Sequence, residues 1–252
     1  MRQHYLRLTR EKVLVDLKAE LARSYLGLTW WVIEPLMYVT AFYIVFAVLK
    51  LRNEDFFEFI LVGLIPWKWF VTSVMHGGNS IVKNSGLIRQ VYLPKVMFPT
   101  VSVAGNTVKF FAVFILLLIV ISIRGYSPAL SWVTLPLIVL VQLLLVMGLT
   151  WCASSLMPFF PDLKSIVGNL MMFLFFVSGI IFDVRQAPEN MQTYINANPL
   201  VRLITAYRDV LLNHSFPNFG DLLYVAAFGL VCLTFGFWIL YRNDRIYPKV
   251  II

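Results

Sequence analysis

Six long apolar runs, separated by shorter polar segments, dominate the pattern of positions along this chain. They cover residues 30–49, 56–75, 101–123, 132–156, 166–182 and 222–241. About 20 mostly apolar residues are needed to cross the hydrocarbon core of a bilayer, so each run predicts a transmembrane helix. The fifth run is the shortest, and it follows Pro158 and Pro161, which break helical structure before it. The pattern therefore predicts an all-α membrane protein with six transmembrane helices.

The composition supports a membrane location and a single transmembrane domain over residues 1–252. Hydrophobic residues make up 60% of the chain and charged residues 13%, about half the charged fraction of a typical soluble domain. A net charge of +8 suits nucleic acid or anionic lipid, and the long apolar runs favour membrane lipid over nucleic acid. Cys152 and Cys232 lie in apolar runs and are too few for a disulfide framework, so we expect no metal site.

The distribution of basic residues predicts the orientation of the spans. With the N-terminus inside, thirteen of the 21 lysines and arginines fall in cytoplasmic segments and six in outside segments. Cytoplasmic loops of membrane proteins are enriched in these two residue types. Both termini are therefore expected in the cytoplasm. Residues 30–182 would form the first five spans, and residues 222–252 the last span and a cytoplasmic tail.

The N-terminal segment, residues 1–29, precedes the first span and is rich in charge. Apolar side chains recur in it at helical spacing, at Leu14, Leu17, Leu21, Tyr25 and Leu28. This spacing predicts an amphipathic helix over residues 5–28 that lies in the cytoplasmic interface of the membrane. Its basic side chains would face anionic headgroups, and a simple membrane anchor would show the same pattern.

The cytoplasmic loop at residues 77–99 carries an apolar edge between Gly86 and Pro94. The apolar positions are Leu87, Ile88, Val91 and Tyr92. Their spacing predicts a short helix that Pro94 ends. An apolar face on a solvated loop indicates either docking of a protein partner or packing against the same chain.

The outside segment at residues 183–221 carries a second amphipathic pattern. After Asn198 and Pro199, apolar positions follow at Leu200, Leu203, Ile204, Tyr207 and Leu211. The run is too short to span a bilayer, so it predicts an outer interfacial or re-entrant helix pair before the last span.

The charged residues Glu34, Lys68 and Lys109 fall within predicted spans. Burying a charge near the bilayer centre costs about 2.5–3.5 kcal/mol on insertion scales, so each is expected to face a polar path, bind a partner or reach an interface. The chain contains no phosphate-binding loop of the type G-x-x-x-x-G-K-[ST], and no protease or hydrolase motif. We therefore expect a transport protein and not an enzyme.

Several motifs together resemble the permease subunits of polysaccharide-exporting ABC transporters, the O-antigen, capsule and teichoic-acid exporters. In order, they are SYLGLTWWVIEPL at 24–36, GLIPW at 63–67, NSIV at 79–82, LI at 87–88, YLPK at 92–95, NPL at 198–200 and YRDVLL at 207–212. The resemblance covers nearly the whole chain. It implies a homodimer in a bacterial inner membrane that works with two separate ATPase subunits, which hold ATP and Mg²⁺, so that no cofactor is expected in this chain.

The resemblance also implies roles for particular residues. Residues 84–94 would be the coupling helix that docks on the ATPase, through Asn84, Ser85, Leu87, Ile88, Arg89, Val91, Tyr92 and Leu93. The cargo would be a glycan on a polyprenyl pyrophosphate lipid, whose headgroup would meet Arg10, Lys18 and Arg23. The conduit would be lined by Tyr38, Tyr43, Trp67, Lys68 and Phe70. An outer gate would comprise Asn196, Asn198, Pro199, Tyr207 and Arg208.

Two other functions fit the same observations. A permease of the wider superfamily would export a drug, haem or a small lipid in place of a glycan. A scaffold or an ATP-independent channel would need no ATPase, although the apolar edge of the cytoplasmic loop argues against it. The partner ATPase and its response to glycan separate these possibilities.

Overall fold

The computed structural model describes residues 2–23, 27, 29–48 and 56–250, and most of these are helical. The α-helices within these ranges are α1 (Arg2–Arg23), α2 (Thr29–Val48), α3 (Phe56–Gly78), α4 (Ser80–Lys83), α5 (Ser85–Gln90), α6 (Met97–Ile123), α7 (Leu135–Leu156), α8 (Leu163–Val177), α9 (Glu189–Ile195), α10 (Pro199–Leu211), α11 (Phe219–Arg242) and α12 (Tyr247–Val250). Over these described ranges the chain forms no strand. The all-α fold class is confirmed.

Four described helical segments are long and apolar enough to cross a bilayer. They are Phe56–Gly78, Met97–Ile123, Leu130–Leu156 and Phe219–Arg242, and they correspond to the second, third, fourth and sixth predicted spans. Helix α2 has nearly the bounds of the first predicted span. Helix α8 has 15 residues and is about 22 Å long, shorter than a hydrocarbon core of about 30 Å. The six-span layout stays a prediction.

Helix α3 lies at the centre of the bundle. It contacts α2, α6, α7, α8 and α10. Apolar side chains are buried on almost every side of it, among them Ile60, Val62, Leu64 and Phe70. A helix that is apolar all round is stable only when other helices or lipid cover it, and here the other helices do so.

Helices α7 and α11 share a more extensive contact than any other helix pair in the described structure, and glycine lets their backbones approach closely. A Cβ atom on Gly148 would lie 2.5 Å from the carbonyl oxygen of Gly229. A Cβ on Gly236 would lie 2.7 Å from the amide nitrogen of Cys152. Small residues allow helix backbones to approach closely in membranes, where packing drives helix association. The two helices therefore pack with their backbones in close contact.

Helix α1 covers Arg2–Arg23 and so includes most of the amphipathic helix predicted over residues 5–28, of which residues 24–26 and 28 lie outside the described residues. Leu8 and Val13 pack against an apolar cluster at the predicted cytoplasmic end of the bundle, which we call the cytoplasmic cluster. Leu14 is exposed on the protein surface, and the contact of its face with the membrane stays a prediction. The helix also contacts α6, which the spacing of leucines alone does not reveal.

Candidate functional site

A charged cavity of about 150 Å³ lies among helices α1, α2, α3 and α6. Its charged and imidazole-bearing wall residues are Glu20, Glu34, Lys68, His76 and Lys109. The cavity wall also includes the aromatic rings of Trp30, Trp31 and Trp69 and the side-chain amide of Asn106. Lys68 and Lys109 each lie near the middle of a long apolar helix, so the cavity reaches into the membrane-spanning region.

Two ion pairs cross this cavity and join the peripheral helices to the bundle. The Lys68 ammonium of α3 donates to the Glu34 carboxylate of α2. The Lys109 ammonium of α6 donates to Glu20 Oε1 of α1 at 2.6 Å. The Lys109 ammonium also lies 5.5 Å from the centre of the Trp31 ring, within cation–π range. Of the alternatives that the sequence leaves open for Glu34, Lys68 and Lys109, pairing with a partner is the one observed.

Two buried donors on the cavity wall have no hydrogen-bond partner among the residues that the structure describes. These are Asn106 Nδ2 and Trp69 Nε1. Leaving a buried donor unpaired costs about 1–3 kcal/mol, so such groups need an explanation. Together with the two ammonium groups they make the cavity rich in hydrogen-bond donors, which suits a ligand with several acceptor oxygens.

The structure places the predicted headgroup and conduit residues in different surroundings. Arg10 and Lys18 are exposed on α1 and do not line the cavity, and the Arg23 side chain lies outside the described residues. Lys68 lines the cavity. Trp67 and Phe70 are buried, and their ring centres lie 5.6 Å apart. Neighbouring helices surround both side chains, so in the described structure they do not line an open path. The Tyr38 and Tyr43 side chains lie outside the described residues.

The predicted coupling segment at residues 84–94 is only partly helical. Helix α5 ends at Gln90, and Val91 has extended backbone dihedrals. Ile88 is 4% exposed and packs with Ile81, Phe98 and Tyr247, so it belongs to the chain's own cytoplasmic cluster. The expectation of one apolar helix edge from Leu87 to Tyr92 is therefore wrong for Ile88 and for the helix end.

Other side chains of the coupling segment face solvent. Leu87 is 38%, Val91 51% and Tyr92 65% exposed, and Arg89 is exposed as well. Asn84 ends α4, and its Nδ2 donates to the carbonyl of Ser80 at 2.7 Å. Ser85 begins α5, and Leu93 follows the helix with its side chain half-buried against the cytoplasmic cluster. Leu87, Val91 and Tyr92 are the apolar residues available to a partner.

The outer segment is the helix pair α9 and α10, which lies before the last long helix. The Asn198 side chain accepts from the Leu200 amide at 3.0 Å and so caps α10, while Pro199 occupies its first turn. Asn198 Nδ2 also donates to Ser178 Oγ after α8. The Asn196 carbonyl accepts from Arg202 Nε at 2.6 Å. The segment is therefore fixed to the chain on both sides of its turn.

Tyr207 and Arg208 anchor α10 inside the bundle. The Tyr207 hydroxyl donates to Gln142 Oε1 at 2.8 Å, and Gln142 Nε2 donates to the Pro66 carbonyl of α3 at 2.9 Å. The Arg208 guanidinium donates to the carbonyls of Gly179 at 2.6 Å and Ile180 at 2.8 Å. These bonds give Tyr207 and Arg208 a structural role, since they fix α10 to α7 and to the turn after α8.

Several functional side chains are absent from the sequence predictions. Buried Glu58 of α3 pairs with Arg124 at the end of α6, and an acid inside an apolar run is the signal that could have found it. Asp209 accepts from Arg185 Nη2 at 2.6 Å and from Asn213 Nδ2 at 3.0 Å. Asp244 in the tail binds the cytoplasmic loop. Its partners are 149 and 152 positions away in sequence, and no local signal marks it.

Comparison with protein families matches residues 16–212 of this chain to the model described as "ABC-2 type transporter". This range includes the cavity, the cytoplasmic loop and the outer helix pair.

Curated relatives point in the same direction. The chain is 31% identical over 221 residues to the O-antigen export system permease protein RfbA of Myxococcus xanthus, covering 86% of this chain and 85% of the relative. It is 30% identical to a protein of the same name from Klebsiella pneumoniae, covering 79% and 77%. It is 26% identical to the polysialic acid transport protein KpsM of Escherichia coli, covering 90% of each.

Proposed function

The chain belongs to the ABC-2 type transporter family, and from this premise we propose that it exports a polysaccharide linked to a polyprenyl pyrophosphate lipid. Its relatives are permease subunits of O-antigen and capsule exporters. The permease would act as a homodimer in the inner membrane, with both termini in the cytoplasm. Two separate ATPase subunits would bind ATP and Mg²⁺ and drive transport.

The charged cavity among α1, α2, α3 and α6 carries the proposal for this cargo. Lys68 and Lys109 supply two cations, and Trp69 Nε1 and Asn106 Nδ2 supply two unpaired donors. A pyrophosphate offers several charged oxygens, and its hydrogen bonds to ammonium groups are about twice as strong as those between neutral groups. The pyrophosphate headgroup would therefore bind in this cavity, after first contact with exposed Arg10 and Lys18 at the membrane surface.

Binding would exchange partners within the cavity. A phosphate oxygen at Lys68 would displace the Glu34 carboxylate, and one at Lys109 would displace Glu20. Since these ion pairs join α2 to α3 and α1 to α6, the exchange would release the two peripheral helices from the bundle. Headgroup binding would thus open a path at the side of each subunit, through which the glycan enters the space between the two copies.

The test is stimulation of ATP hydrolysis in a reconstituted complex of this chain with the ABC ATPase encoded beside it. The complex is titrated with polyprenyl-pyrophosphate glycan. Lys68→Gln and Lys109→Gln should each raise the half-stimulating concentration by about tenfold or more, because each removes one charged donor, worth about 1.5–3 kcal/mol. Lys164→Gln, which removes an exposed cation far from the cavity, is the matched control.

Glu34→Gln should change the half-stimulating concentration in the opposite direction and provides a second test. It removes the carboxylate that competes for Lys68, so the half-stimulating concentration should fall. Equal responses from the lysine variants and Lys164→Gln would show that the cavity does not bind the headgroup. A complex that hydrolyses ATP but ignores the glycan would point to another cargo, such as a drug, haem or a small lipid.

A further inference from the structure

The segment after α11 folds back onto the cytoplasmic loop. Asp244 Oδ2 accepts from the Tyr92 hydroxyl at 2.7 Å, and Asp244 Oδ1 accepts from the Lys95 amide at 2.9 Å. Tyr247 is fully buried, and its hydroxyl donates to the Ser155 carbonyl at the end of α7. The tail is thereby connected to the loop on one side and to α7 on the other.

An open cleft of about 460 Å³ lies between the loop and this tail. Tyr92 and Lys95 form the loop side of the cleft, and Arg245 and Pro248 form the tail side. Arg245 and Tyr92 are exposed, so the cleft opens to solvent. Two of its four wall residues are cationic, one from each side.

Lys95 is the unusual member of the cleft because its side chain is only 1% exposed. Its ammonium donates to the Leu93 carbonyl at 3.1 Å and lies 4.8 Å from the centre of the Tyr92 ring. Burial lowers the pKa of Lys95, and the Asp244 carboxylate opposes that change. Both oxygens of Asp244 accept hydrogen bonds from Tyr92 and Lys95. The buried Lys95 ammonium therefore adds positive charge behind the cleft, and exposed Arg245 is the cation of the cleft that a partner can reach.

We infer that this cleft is a second part of the docking surface for the ATPase subunit and receives an acidic side chain of that subunit. The inference rests on the proposed function. The cleft shares Tyr92 with the exposed apolar residues Leu87 and Val91, so it continues the surface on which the ATPase would dock. The exposed Arg245 complements an acid, and an interface that combines apolar contact with a charged pair gains specificity and a fixed register.

An ATPase docked at the cleft would contact the segment that follows α11 as well as the loop. The tail side of the cleft follows directly from α11, which packs closely against α7. Movement of an ATPase docked across both sides would therefore act on α11 as well as on the loop.

The test measures the dissociation constant between this chain in lipid nanodiscs and the purified ABC ATPase encoded beside it. Arg245→Glu should weaken the complex about tenfold or more at low salt, and the effect should shrink at high salt because an exposed charge is screened. Lys249→Glu makes the same charge change at an exposed position of the same tail outside the cleft. It should alter the constant less than about twofold. A charge reversal of the partner's acid to lysine should restore binding to Arg245→Glu.

Three results would overturn the inference. If Arg245→Glu and Lys249→Glu changed the dissociation constant equally while the wild-type complex responded to glycan, the cleft would not be a docking site. The proposed function would still stand. An Arg245→Glu effect that disappears in nanodiscs of zwitterionic lipid would assign the cleft to an anionic lipid headgroup. A wild-type chain that binds no ATPase would remove the proposed function as well.

Discussion

The hydroxyl of Tyr207 donates a hydrogen bond to Gln142 Oε1 across 2.8 Å, with both side chains buried in the bundle. Tyr207 belongs to the outer helix α10 and Gln142 to α7. Gln142 continues the connection through its Nε2 to the Pro66 carbonyl of α3. Three helices are thus joined by two hydrogen bonds at a site without access to water.

Removing the Tyr207 hydroxyl should destabilise the protein. Tyr207→Phe keeps the ring but leaves Gln142 Oε1 buried without a donor, which costs about 1–3 kcal/mol. The expected result is a lower melting temperature of the purified chain in detergent. Tyr224→Phe is the control, because the Tyr224 hydroxyl donates to the Ala197 carbonyl at an exposed site. Equal melting temperatures for the two variants would contradict a stabilising role of the buried pair.

The close packing of α7 and α11 predicts a strong effect of one added methyl group. Gly148→Ala would place a Cβ 2.5 Å from the Gly229 carbonyl oxygen, so the helix backbones must separate. Overpacking of this kind costs about 1–3 kcal/mol. Gly105→Ala in α6 is the control, because a Cβ there meets no atom within 4 Å. Thermal melting should separate the two variants, and a Gly148→Ala protein as stable as Gly105→Ala would show that the helices adjust freely.

The sequence predicts the long helices well because burial in lipid is a local property. A run of about 20 apolar residues has few other stable structures, so the bounds of α3, α6 and α11 agree with prediction within a few residues at most ends. The charged pairs are different. Glu34 and Lys68 are 34 positions apart, and their contact depends on how each helix is rotated in the bundle. Helix rotation is set by packing between elements, which no local pattern records.

The cytoplasmic loop shows the same limit at smaller scale. The spacing of Leu87, Ile88 and Val91 predicts one helix face, and it correctly marks an apolar segment. It cannot show that α5 ends at Gln90, or that Ile88 joins a buried cluster with Tyr247 of the distant tail. Members of this cluster lie up to 159 positions from Ile88 in the chain, and the sequence pattern treats Leu87 and Ile88 as equivalent.

Leu87 and Ile88 should therefore respond differently to the same substitution. Leu87→Asp changes an exposed side chain, so we expect a folded protein with an unchanged melting temperature and a loss of ATPase binding and export. Ile88→Asp buries a carboxylate in the cytoplasmic cluster, which costs several kcal/mol. The expected result is a lowered melting temperature. If Leu87→Asp still bound the ATPase and exported glycan, the docking role of this loop would be ruled out.

The planar guanidinium of Arg208 binds several carbonyls at once, so we predict that lysine cannot replace Arg208. Its guanidinium donates to carbonyls of Phe59, Gly179 and Ile180, and its central carbon lies 3.4 Å from the centre of the Phe59 ring. A lysine carries one ammonium and lacks the planar fork, so it cannot reproduce this set of bonds. Arg208→Lys should destabilise the protein by about 1–3 kcal/mol. It should also free α10 from the turn after α8.

Hydrogen exchange of backbone amides tests this prediction at the site itself. Arg208→Lys should speed exchange in residues 199–211, because the turn at Gly179 and Ile180 no longer fixes α10. Arg202→Lys is the matched control on the same helix, since Arg202 binds Asn196 and Asp221 at a partly exposed site, where an ammonium can still pair with the carboxylate. Faster exchange confined to Arg208→Lys would identify Arg208 as the residue that holds the outer segment in place. Equal exchange in both variants would assign that role to Tyr207 and Asp209, whose bonds to Gln142 and Arg185 persist in each.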